Sequence, residues 1–296
     1  MNSKKLAPIA LFVYNRPDHL RKTIKFLSNN IFSKNSELYI FSDYAKNQAE
    51  IEAVNQVRKI CFKIKNFKKV NLINRPYNYG LAKNIERGTS YILKYHDKVI
   101  VLEDDLLTDK YFLKYMNFYL EKFKNYKNII SIHGYLYPIK KNLTKPFFLK
   151  GADCWGWATW KRGWKIYEKN TSLLIKKISN KKKINEFNFY NTYNYFRLLK
   201  KNQKNFKSWA VNWYASAFLK NKLTLYPPYS LVKNIGNDGS GINNPKTQKY
   251  NVKLKNKNIK KYSLKIVEDT LVKKEIAKYF ISKNNFIKKL YFKFIL

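Results

Sequence analysis

Three consecutive acids, Glu103, Asp104 and Asp105, follow the short apolar run Val99–Leu102. A short run rich in β-branched residues is typical of a buried strand, so we expect the three carboxylates to stand together at one strand end. The pKa values of crowded carboxylates rise unless a cation lies among them. Mn²⁺ or Mg²⁺ suits such oxygen ligands and could hold a diphosphate as it departs. The alternative is a solvated acidic turn that caps a helix beginning near Asp109.

Two further strand ends carry polar residues. The apolar run Ile9–Tyr14 stops at Asn15-Arg16-Pro17, and the run at 37–41 stops at Ser42-Asp43. The carboxyl ends of parallel strands meet at one edge of a sheet, where ligands bind in α/β folds. We therefore predict that Asn15, Arg16 and Asp43 converge with the three acids. Ordinary helix capping and turn chemistry is the alternative for Asn15 and Asp43.

The elements that must position these residues alternate along the first hundred residues. Strands are predicted at 9–14, 37–41, 70–73 and 98–102, with helices at 17–29, at 48–62 and after Gly80. This β-α-β-α-β-α-β order predicts an α/β fold with a mostly parallel sheet flanked by helices. Neither a G-x-G-x-x-G nor a Walker A pattern is present, which disfavours dinucleotide cofactors and P-loop chemistry.

The second half is less regular. Strands are predicted at 129–132 and 223–226, and helices at 184–201 and 209–220, the latter buried. After about residue 245 the composition shifts to Lys and Asn, and the spacing of apolar residues between 286 and 294 predicts a basic amphipathic helix. We expect a main domain over 1–245, with halves meeting near 107–108, and a basic C-terminal tail over 246–296.

Composition limits the function classes. With 45% hydrophobic and 17% aromatic residues, the chain can form a real core. No run of 18 apolar residues is present and the apolar stretch at 6–14 is too short for a secretory signal, so a cytoplasmic location is expected. The two cysteines, Cys61 and Cys154, form neither a disulfide framework nor a zinc pattern.

A net charge of +41 indicates an anionic partner, unless it reflects compositional drift. The lysines are spread along the chain, and no RNA-binding aromatic motif, zinc finger or helix-turn-helix is recognisable. An anionic membrane surface is therefore a better candidate than specific nucleic acid.

Five segments, in this order, resemble GT-A fold glycosyltransferases: Pro8–Pro17, Asn78–Ala82, Val101–Asp105, Cys154–Trp160 and Asn234–Gly241. They are most similar to a family 2-like group of bacterial surface-polysaccharide sugar transferases, distantly similar to the N-acetylglucosaminyltransferase I type. The resemblance covers about residues 6–243. It implies a metal-dependent enzyme that moves a sugar from a nucleoside-diphosphate sugar to a glycan acceptor, expected to be lipid-linked, in capsule, lipopolysaccharide or lipooligosaccharide biosynthesis.

The resemblance also implies roles for the acids. Glu103-Asp104-Asp105 matches the family's D-x-D-type motif, whose last acid binds the metal, so Asp105 is the expected ligand of Mn²⁺ or Mg²⁺. Asp104 is expected at the donor ribose or in support of the metal. Glu103 is expected near the donor sugar.

Further donor contacts follow from the resemblance. Asn15 and Arg16 lie where the first loop meets the nucleotide, and Arg16 suits a bidentate phosphate contact. Asp43 suits a base N–H, and the Asn78-Tyr79-Gly80 turn opens a helix beside the donor. Lys83 is expected to reach a phosphate, with a solvated helix face as the alternative.

An inverting transferase needs a carboxylate that accepts the proton of the acceptor hydroxyl. Asp153 is the first candidate because its aromatic surroundings would raise its pKa, and a simple turn or cap aspartate is the alternative. Asp238, in a Gly-rich loop able to close over the donor, is the second. Trp155 and Trp157 are candidates for an acceptor-binding wall, although at least two of the neighbouring tryptophans are expected in the core. A histidine that often ends that loop in the family is replaced by Ile242-Asn243.

Two other functions stay open at this point. A sugar nucleotidyltransferase would share the core and the metal, but it usually begins with a Gly-rich loop carrying Arg and Lys, whereas this chain has Asn15-Arg16-Pro17. A non-enzymatic basic protein that binds membrane or nucleic acid is the remaining alternative.

Overall fold

The computed structural model describes residues 5–205, 208–241 and 246–283. The first half alternates strands and helices: β1 (Ile9–Val13), α1 (Pro17–Ser28), β2 (Glu37–Ser42), α2 (Ile51–Phe62), β3 (Lys69–Asn74), α3 (Leu81–Tyr95) and β4 (Lys98–Glu103). Pro17 occupies the first position of α1, where its missing N–H costs nothing. Gly80 precedes α3 with a positive φ of 72°, a conformation that glycine adopts without strain. The predicted order of elements in this half is confirmed.

The second half supplies shorter elements: β5 (Leu106–Thr108), α4 (Phe112–Lys122), β6 (Ile129–His133), β7 (Phe147–Lys150), β8 (Trp157–Trp160), α5 (Lys161–Trp164), α6 (Thr171–Ile178), α7 (Lys181–Phe187), α8 (Tyr195–Lys204), α9 (Trp209–Leu219), β9 (Leu223–Tyr226), β10 (Val232–Asn234) and α10 (Thr270–Ser282). The predicted buried helix at 209–220 is confirmed by α9, which is buried along most of its length.

Eight strands form the central sheet, in the order β3-β2-β1-β4-β8-β6-β9-β7. The first four are parallel, as are β6 and β9. β8 is antiparallel to both β4 and β6, and β7 is antiparallel to β9 at the edge. β5 and β10 form a separate antiparallel pair beside the end of β4. The prediction of a mostly parallel sheet flanked by helices is confirmed.

One helix prediction was wrong. The sequence at 184–201 predicted a single helix, but α7 ends at Phe187 and α8 begins at Tyr195. Between them, Phe189, Tyr190 and Asn191 have positive φ values of 49°, 56° and 60°. Three consecutive left-handed residues end a right-handed helix, because their backbone cannot continue its hydrogen-bond ladder.

Residues 246–269 pack along the domain before α10, mostly without regular secondary structure. The Tyr135 hydroxyl donates to the Tyr250 carbonyl at 2.9 Å, and the Tyr229 hydroxyl donates to the Lys257 carbonyl at 2.7 Å. α10 then places Ile276 and Phe280 in a hydrophobic cluster with α9 and α6, which agrees with the predicted C-terminal helical element. The amphipathic stripe predicted at 286–294 lies outside the described residues. Within the described ranges, no helix is long and apolar enough to cross a membrane.

Candidate functional site

A cavity of about 300 Å³ lies beyond the carboxyl ends of β1, β2 and β4. Parallel strands carry their final residues to this edge, and the loops that follow them form the wall. The lining includes eight residues singled out from the sequence, namely Asn15, Arg16, Asp43, Asn78, Gly80, Glu103, Asp104 and Asp105. The structure thus brings together the three strand ends whose convergence the topology predicts.

Arg16 is the cation nearest to the acids. Its Nη2 donates to Asp104 Oδ1 and, at 2.9 Å, to Asp105 Oδ2. Asp104 is held further by the Tyr14 backbone N–H, which donates to Oδ2 at 3.3 Å, and by the Thr23 hydroxyl, which donates to its carbonyl at 2.7 Å. Both aspartates are buried. Arg16 thereby fixes the orientation of the two carboxylates from the end of β1.

The charge at this strand end is not balanced by Arg16 alone. Burial, with the negative charges of Asp105 and Asp104, raises the pKa of Glu103 to about 8. Burial also raises the pKa of Asp104 to about 6, although Arg16 opposes that shift. Raised carboxylate pKa values mean that additional positive charge would stabilise the ionised site.

The residues fit a divalent cation that takes part of its ligand set from a substrate. Among the described residues, no group of three or more His, Cys, Asp or Glu side chains is placed to hold a metal ion. Mg²⁺ is commonly bound by one or two carboxylates together with substrate phosphates rather than by a protein cage. Asp105 and Asp104 offer carboxylate oxygens of that kind, on the wall of a cavity with room for a ligand.

Asp43 follows β2 and lies on another wall of the cavity. Its Oδ1 accepts hydrogen bonds from the backbone N–H groups of Tyr44 at 3.0 Å and Tyr79 at 2.8 Å. Burial raises the pKa of Asp43, while these N–H groups oppose the shift. Asn78 Nδ2 donates to the Tyr44 carbonyl at 2.6 Å. These contacts join the loop after β2 to the turn before α3.

Lys83 does not line the cavity in this conformation. Its Nζ lies over the rings of Tyr77 and Tyr79, at 5.9 and 5.2 Å from their centroids. This position is one turn into α3, close to the Asn78-Tyr79-Gly80 turn. The side chain is flexible, so its tip can move relative to the cavity.

The lining also includes polar residues that the sequence did not single out, among them Tyr14, Lys46 and Glu50. The Glu50 carboxylate accepts hydrogen bonds from the Tyr14 hydroxyl, from Asn15 Nδ2 at 3.2 Å and from the Lys46 backbone N–H at 2.9 Å. Burial and the Glu50 contact raise the pKa of Tyr14. Glu50 comes seven residues after Asp43, in a short 3-10 turn before α2, and a loop position of that kind has no sequence signal.

Asp153 lies between β7 and β8, with its side chain 21% exposed. The Cys154 backbone N–H donates to Oδ1 at 2.8 Å, and the Tyr137 hydroxyl donates to Oδ2 at 3.4 Å. His133 Nε2 lies 3.7 Å from the same Oδ2. Burial lowers the pKa of His133 to about 4, so this imidazole is neutral at pH 7. The surroundings of Asp153 are aromatic and largely uncharged.

Cys154 relates Asp153 to the acids at the end of β4. Burial raises the pKa of its thiol well above the ordinary value, and the negative charges of Asp153, Glu103 and Asp105 all add to the shift. β8 runs antiparallel to β4 with Trp157 opposite Val101, so the segment before β8, which includes Asp153, lies at the carboxyl end of β4.

Asp238 occupies a more polar and more exposed position on the loop after β10. Its side chain is 45% exposed, and Oδ2 lies 3.1 Å from His19 Nε2. The Ser240 hydroxyl and backbone N–H donate to Oδ1 at 2.7 and 2.9 Å, and with His19 they lower the pKa of Asp238 to about 2. Such a carboxylate is a weak proton acceptor.

The two candidate tryptophans occupy different environments. Trp157 is 0% exposed, and its ring packs on Trp209 and Trp213 with centroid distances of 5.2 and 5.8 Å. Trp155 is partly exposed and packs against Tyr135 at 4.7 Å and Tyr250 at 5.5 Å. Trp157 therefore belongs to the core beneath the sheet, whereas Trp155 keeps part of its surface exposed.

Comparison with known proteins gives one family. The family described as "Glycosyl transferase family 2" matches residues 9–197. No curated protein matches the chain.

Several solved structures are similar at low identity. Staphylococcus aureus TarS is 12% identical with a TM-score of 0.41, over 78% of this chain and 37% of that one. The structure of TarS residues 1–349 in complex with UDP-GlcNAc is 13% identical with a TM-score of 0.32, over 47% of this chain and 38% of that one. Pyrobaculum calidifontis mannosyltransferase PcManGT in complex with GDP-Man and Mn²⁺ is 12% identical with a TM-score of 0.31, over 45% of this chain and 36% of that one. The chain thus spans less than half the length of these solved chains.

Proposed function

Since the chain belongs to glycosyl transferase family 2, we propose that it transfers a hexosyl or N-acetylhexosaminyl group from a nucleoside-diphosphate sugar, foremost a UDP-sugar, to a glycan acceptor. The acceptor belongs to bacterial surface polysaccharide and is lipid-linked at the inner face of the cytoplasmic membrane. The observation that carries the proposal is the convergence of Arg16, Asp43 and Asp105 on one cavity beyond β1, β2 and β4. These residues supply, in one place, groups for a phosphate, a base and a metal ion.

The donor is held by residues of three loops. Asp43 accepts a hydrogen bond from a base N–H, and its contacts to Tyr44 and Tyr79 keep it in position. Arg16 turns part of its guanidinium to the diphosphate, a geometry that suits bidentate contacts with phosphate oxygens. Asn15 and Lys83 add donors around the phosphates, and Gly80 lets the start of α3 approach the ligand closely.

Asp105 is the proposed metal ligand, with Asp104 as its support and as a contact to the ribose. When bound, Mn²⁺ or Mg²⁺ supplies positive charge to the diphosphate that leaves. Glu103 faces the transferred sugar. Arg16 holds both aspartates through hydrogen bonds, so it orients the ligands as well as the phosphates.

Asp153 is the proposed base, and it accepts the proton of the acceptor hydroxyl as that oxygen attacks the anomeric carbon with inversion. Three observations favour it over Asp238: its lower exposure, its aromatic neighbours and its position at the carboxyl end of β4, where the acids lie. Asp238 is held by Ser240 and His19 and has a lowered pKa. Its role is to keep the loop after β10 closed against α1.

The acceptor is proposed to lie against Trp155, with Tyr137 and Tyr250 nearby. Aromatic rings with polar tips suit the mixed faces of a sugar. The buried Trp157 is left out of this binding site. The basic segment from residue 246 onward is proposed to attract the protein to an anionic membrane surface.

The proposal is tested by thermal unfolding with UDP-, GDP-, dTDP- and CMP-sugars, each with and without Mn²⁺. We expect one nucleotide class to raise the unfolding temperature only when metal is present, because a ligand at a hundred times its Kd adds about 2.7 kcal/mol of stability. Asp105→Asn should remove this effect. The control Asp18→Asn, at an exposed acid on α1, should keep it.

Two results would contradict the proposal. One is a folded wild-type protein that responds to none of these donors with Mn²⁺ present. The other is an Asp105→Asn variant that responds as the wild type does. Salt-sensitive binding to duplex DNA or RNA without donor binding would favour a basic, non-enzymatic protein instead.

A further inference from the structure

A second cavity, of about 770 Å³, lies at the opposite edge of the sheet from the candidate donor site. Its lining includes Lys5 and Leu6, which precede β1, and Lys98, which begins β4. These are the amino ends of parallel strands, whereas the donor cavity lies beyond their carboxyl ends. One wall is α4 and the other is the segment 258–261. We call this cavity the α4 groove.

Two tyrosines that line the α4 groove have buried hydroxyl groups without a partner among the described residues. Tyr115 is 4% exposed and Tyr119 is 1% exposed, and neither hydroxyl makes a hydrogen bond to any residue that the structure describes. Burial raises the pKa of both, so each keeps its proton. A buried hydroxyl without a partner is costly. A ligand oxygen that accepts from them would remove that cost.

The rim of the α4 groove is strongly basic. Lys114, Lys122 and Lys261 stand around it, with the Lys261 Nζ 5.5 Å from the Phe118 ring centroid. Glu121 is the single acid among the described residues that line the groove, and it contacts Lys124 at 2.8 Å and Lys98 at 3.7 Å. The groove therefore offers an excess of cations to its occupant.

The walls between these cations are apolar. Leu6, Phe118 and Ile259 contribute to them, and Phe118 and Tyr115 lie on one face of α4 because they are three residues apart. Cations at the rim, buried hydroxyl donors and an apolar wall together match a molecule with an anionic end and an apolar body. A nucleic acid backbone would leave the apolar wall uncovered.

We propose that the α4 groove binds a membrane lipid, with the phosphate headgroup at Lys114, Lys261 and the two tyrosine hydroxyls, and with the start of the acyl chain against Leu6, Phe118 and Ile259. Binding here leaves the donor cavity at the other edge of the sheet free. This lipid site is separate from the transferase chemistry and does not depend on it.

The proposal is tested on the donor-free protein by titration calorimetry with three probes below their micelle concentrations. Dodecyl phosphate carries both the anion and the chain, inorganic phosphate carries the anion alone, and dodecyl maltoside carries the chain with a neutral head. We expect saturable binding of dodecyl phosphate that is at least about tenfold tighter than that of either other probe.

Matched variants locate the binding. Tyr115→Phe with Tyr119→Phe should weaken dodecyl phosphate binding roughly tenfold, since hydrogen bonds to a charged group are lost. Lys114→Gln with Lys261→Gln should weaken it at least as much. Lys63→Gln with Lys65→Gln removes the same charge at exposed positions outside the groove and should leave binding unchanged.

A second measurement uses sedimentation with vesicles. Phosphatidylcholine vesicles that contain phosphatidic acid should pull down the wild type and the Lys63/Lys65 control, but less of the Lys114/Lys261 variant. The lipid site is refuted if inorganic phosphate binds as tightly as dodecyl phosphate, if the two lysine variants lose binding equally, or if the tyrosine variant binds normally. Donor-dependent thermal shifts should persist in every folded variant, which separates failure of this proposal from failure of the transferase proposal.

Discussion

Gly236 is the position where a single methyl group tests the geometry of the donor site most directly. A Cβ at this residue would lie 2.1 Å from Asp105 Oδ2, 2.8 Å from Asp105 Cγ and 3.0 Å from Arg16 Nη1. The optimum for nonbonded carbon contacts is about 3.5 Å. Gly236→Ala must therefore move the Asp105 carboxylate or the loop by about 1 Å or more.

The loop after β10 has little freedom to yield. The Ile235 backbone N–H donates to the Asp105 carbonyl at 2.9 Å, and the Gly236 N–H donates to Asn234 Oδ1 at 2.7 Å. Misplacement of a site group by about 1 Å can cost about 100-fold in function. We expect Gly236→Ala to weaken Mn²⁺-dependent UDP binding by about that factor, equivalent to about 2.8 kcal/mol.

Gly241→Ala is the matched control on the same loop. Its Cβ would lie 3.4 Å from Arg16 Nη1 and 3.6 Å from the Gly236 carbonyl, which is close to ordinary contact. UDP affinity with Mn²⁺, measured by calorimetry, should change by less than about threefold, or about 0.7 kcal/mol. The reasoning would be refuted if Gly236→Ala bound UDP normally, or if both variants lost affinity equally while remaining folded.

Two further predictions concern the acceptor side. Asp153→Asn should lower the rate of nucleoside diphosphate release by about 100-fold to 10⁴-fold while donor binding stays normal, because a general base contributes about that much. Asp238→Asn should lower the same rate by less than about tenfold. The reverse ranking of the two variants would identify Asp238 as the base. His133 has a folded pKa of about 4, below the value of about 6.5 for an unfolded chain, so the unfolded state binds more protons between these limits. The wild type should therefore lose up to about 3 kcal/mol of stability as the pH falls from about 6.5 to about 4, and His133→Phe should flatten that loss in urea unfolding at several pH values. An unchanged pH slope in the variant would show that His133 is not the titrating group.

The first half of the fold could be predicted because its signals are local. Apolar runs such as Ile9–Val13 end at residues that stop strands, and Pro17 and Gly80 mark the starts of helices. Parallel topology then brings Asn15, Asp43 and Asp105 to one edge without any knowledge of side-chain contacts. The candidate donor cavity follows from these two steps alone.

The second half could not be predicted as well, because its elements depend on contacts between distant segments. β8 is buried on both faces between β4 and β6, so Trp157–Trp160 shows no alternation of apolar and polar residues. The break between α7 and α8 depends on left-handed residues at 189–191, none of which is glycine. Local sequence patterns contain neither fact.

The difference between Asp153 and Asp238 shows why a catalytic base is harder to predict than a metal ligand. Both follow a glycine-containing stretch, and neither carries a local motif that separates it from the other. Their surroundings come from elsewhere in the chain: His19 and Ser240 stabilise the charge on Asp238, while Tyr137 and His133 place uncharged rings beside Asp153. Consecutive acids at a strand end bring their own electrostatic environment, whereas a single carboxylate acquires its environment only after folding.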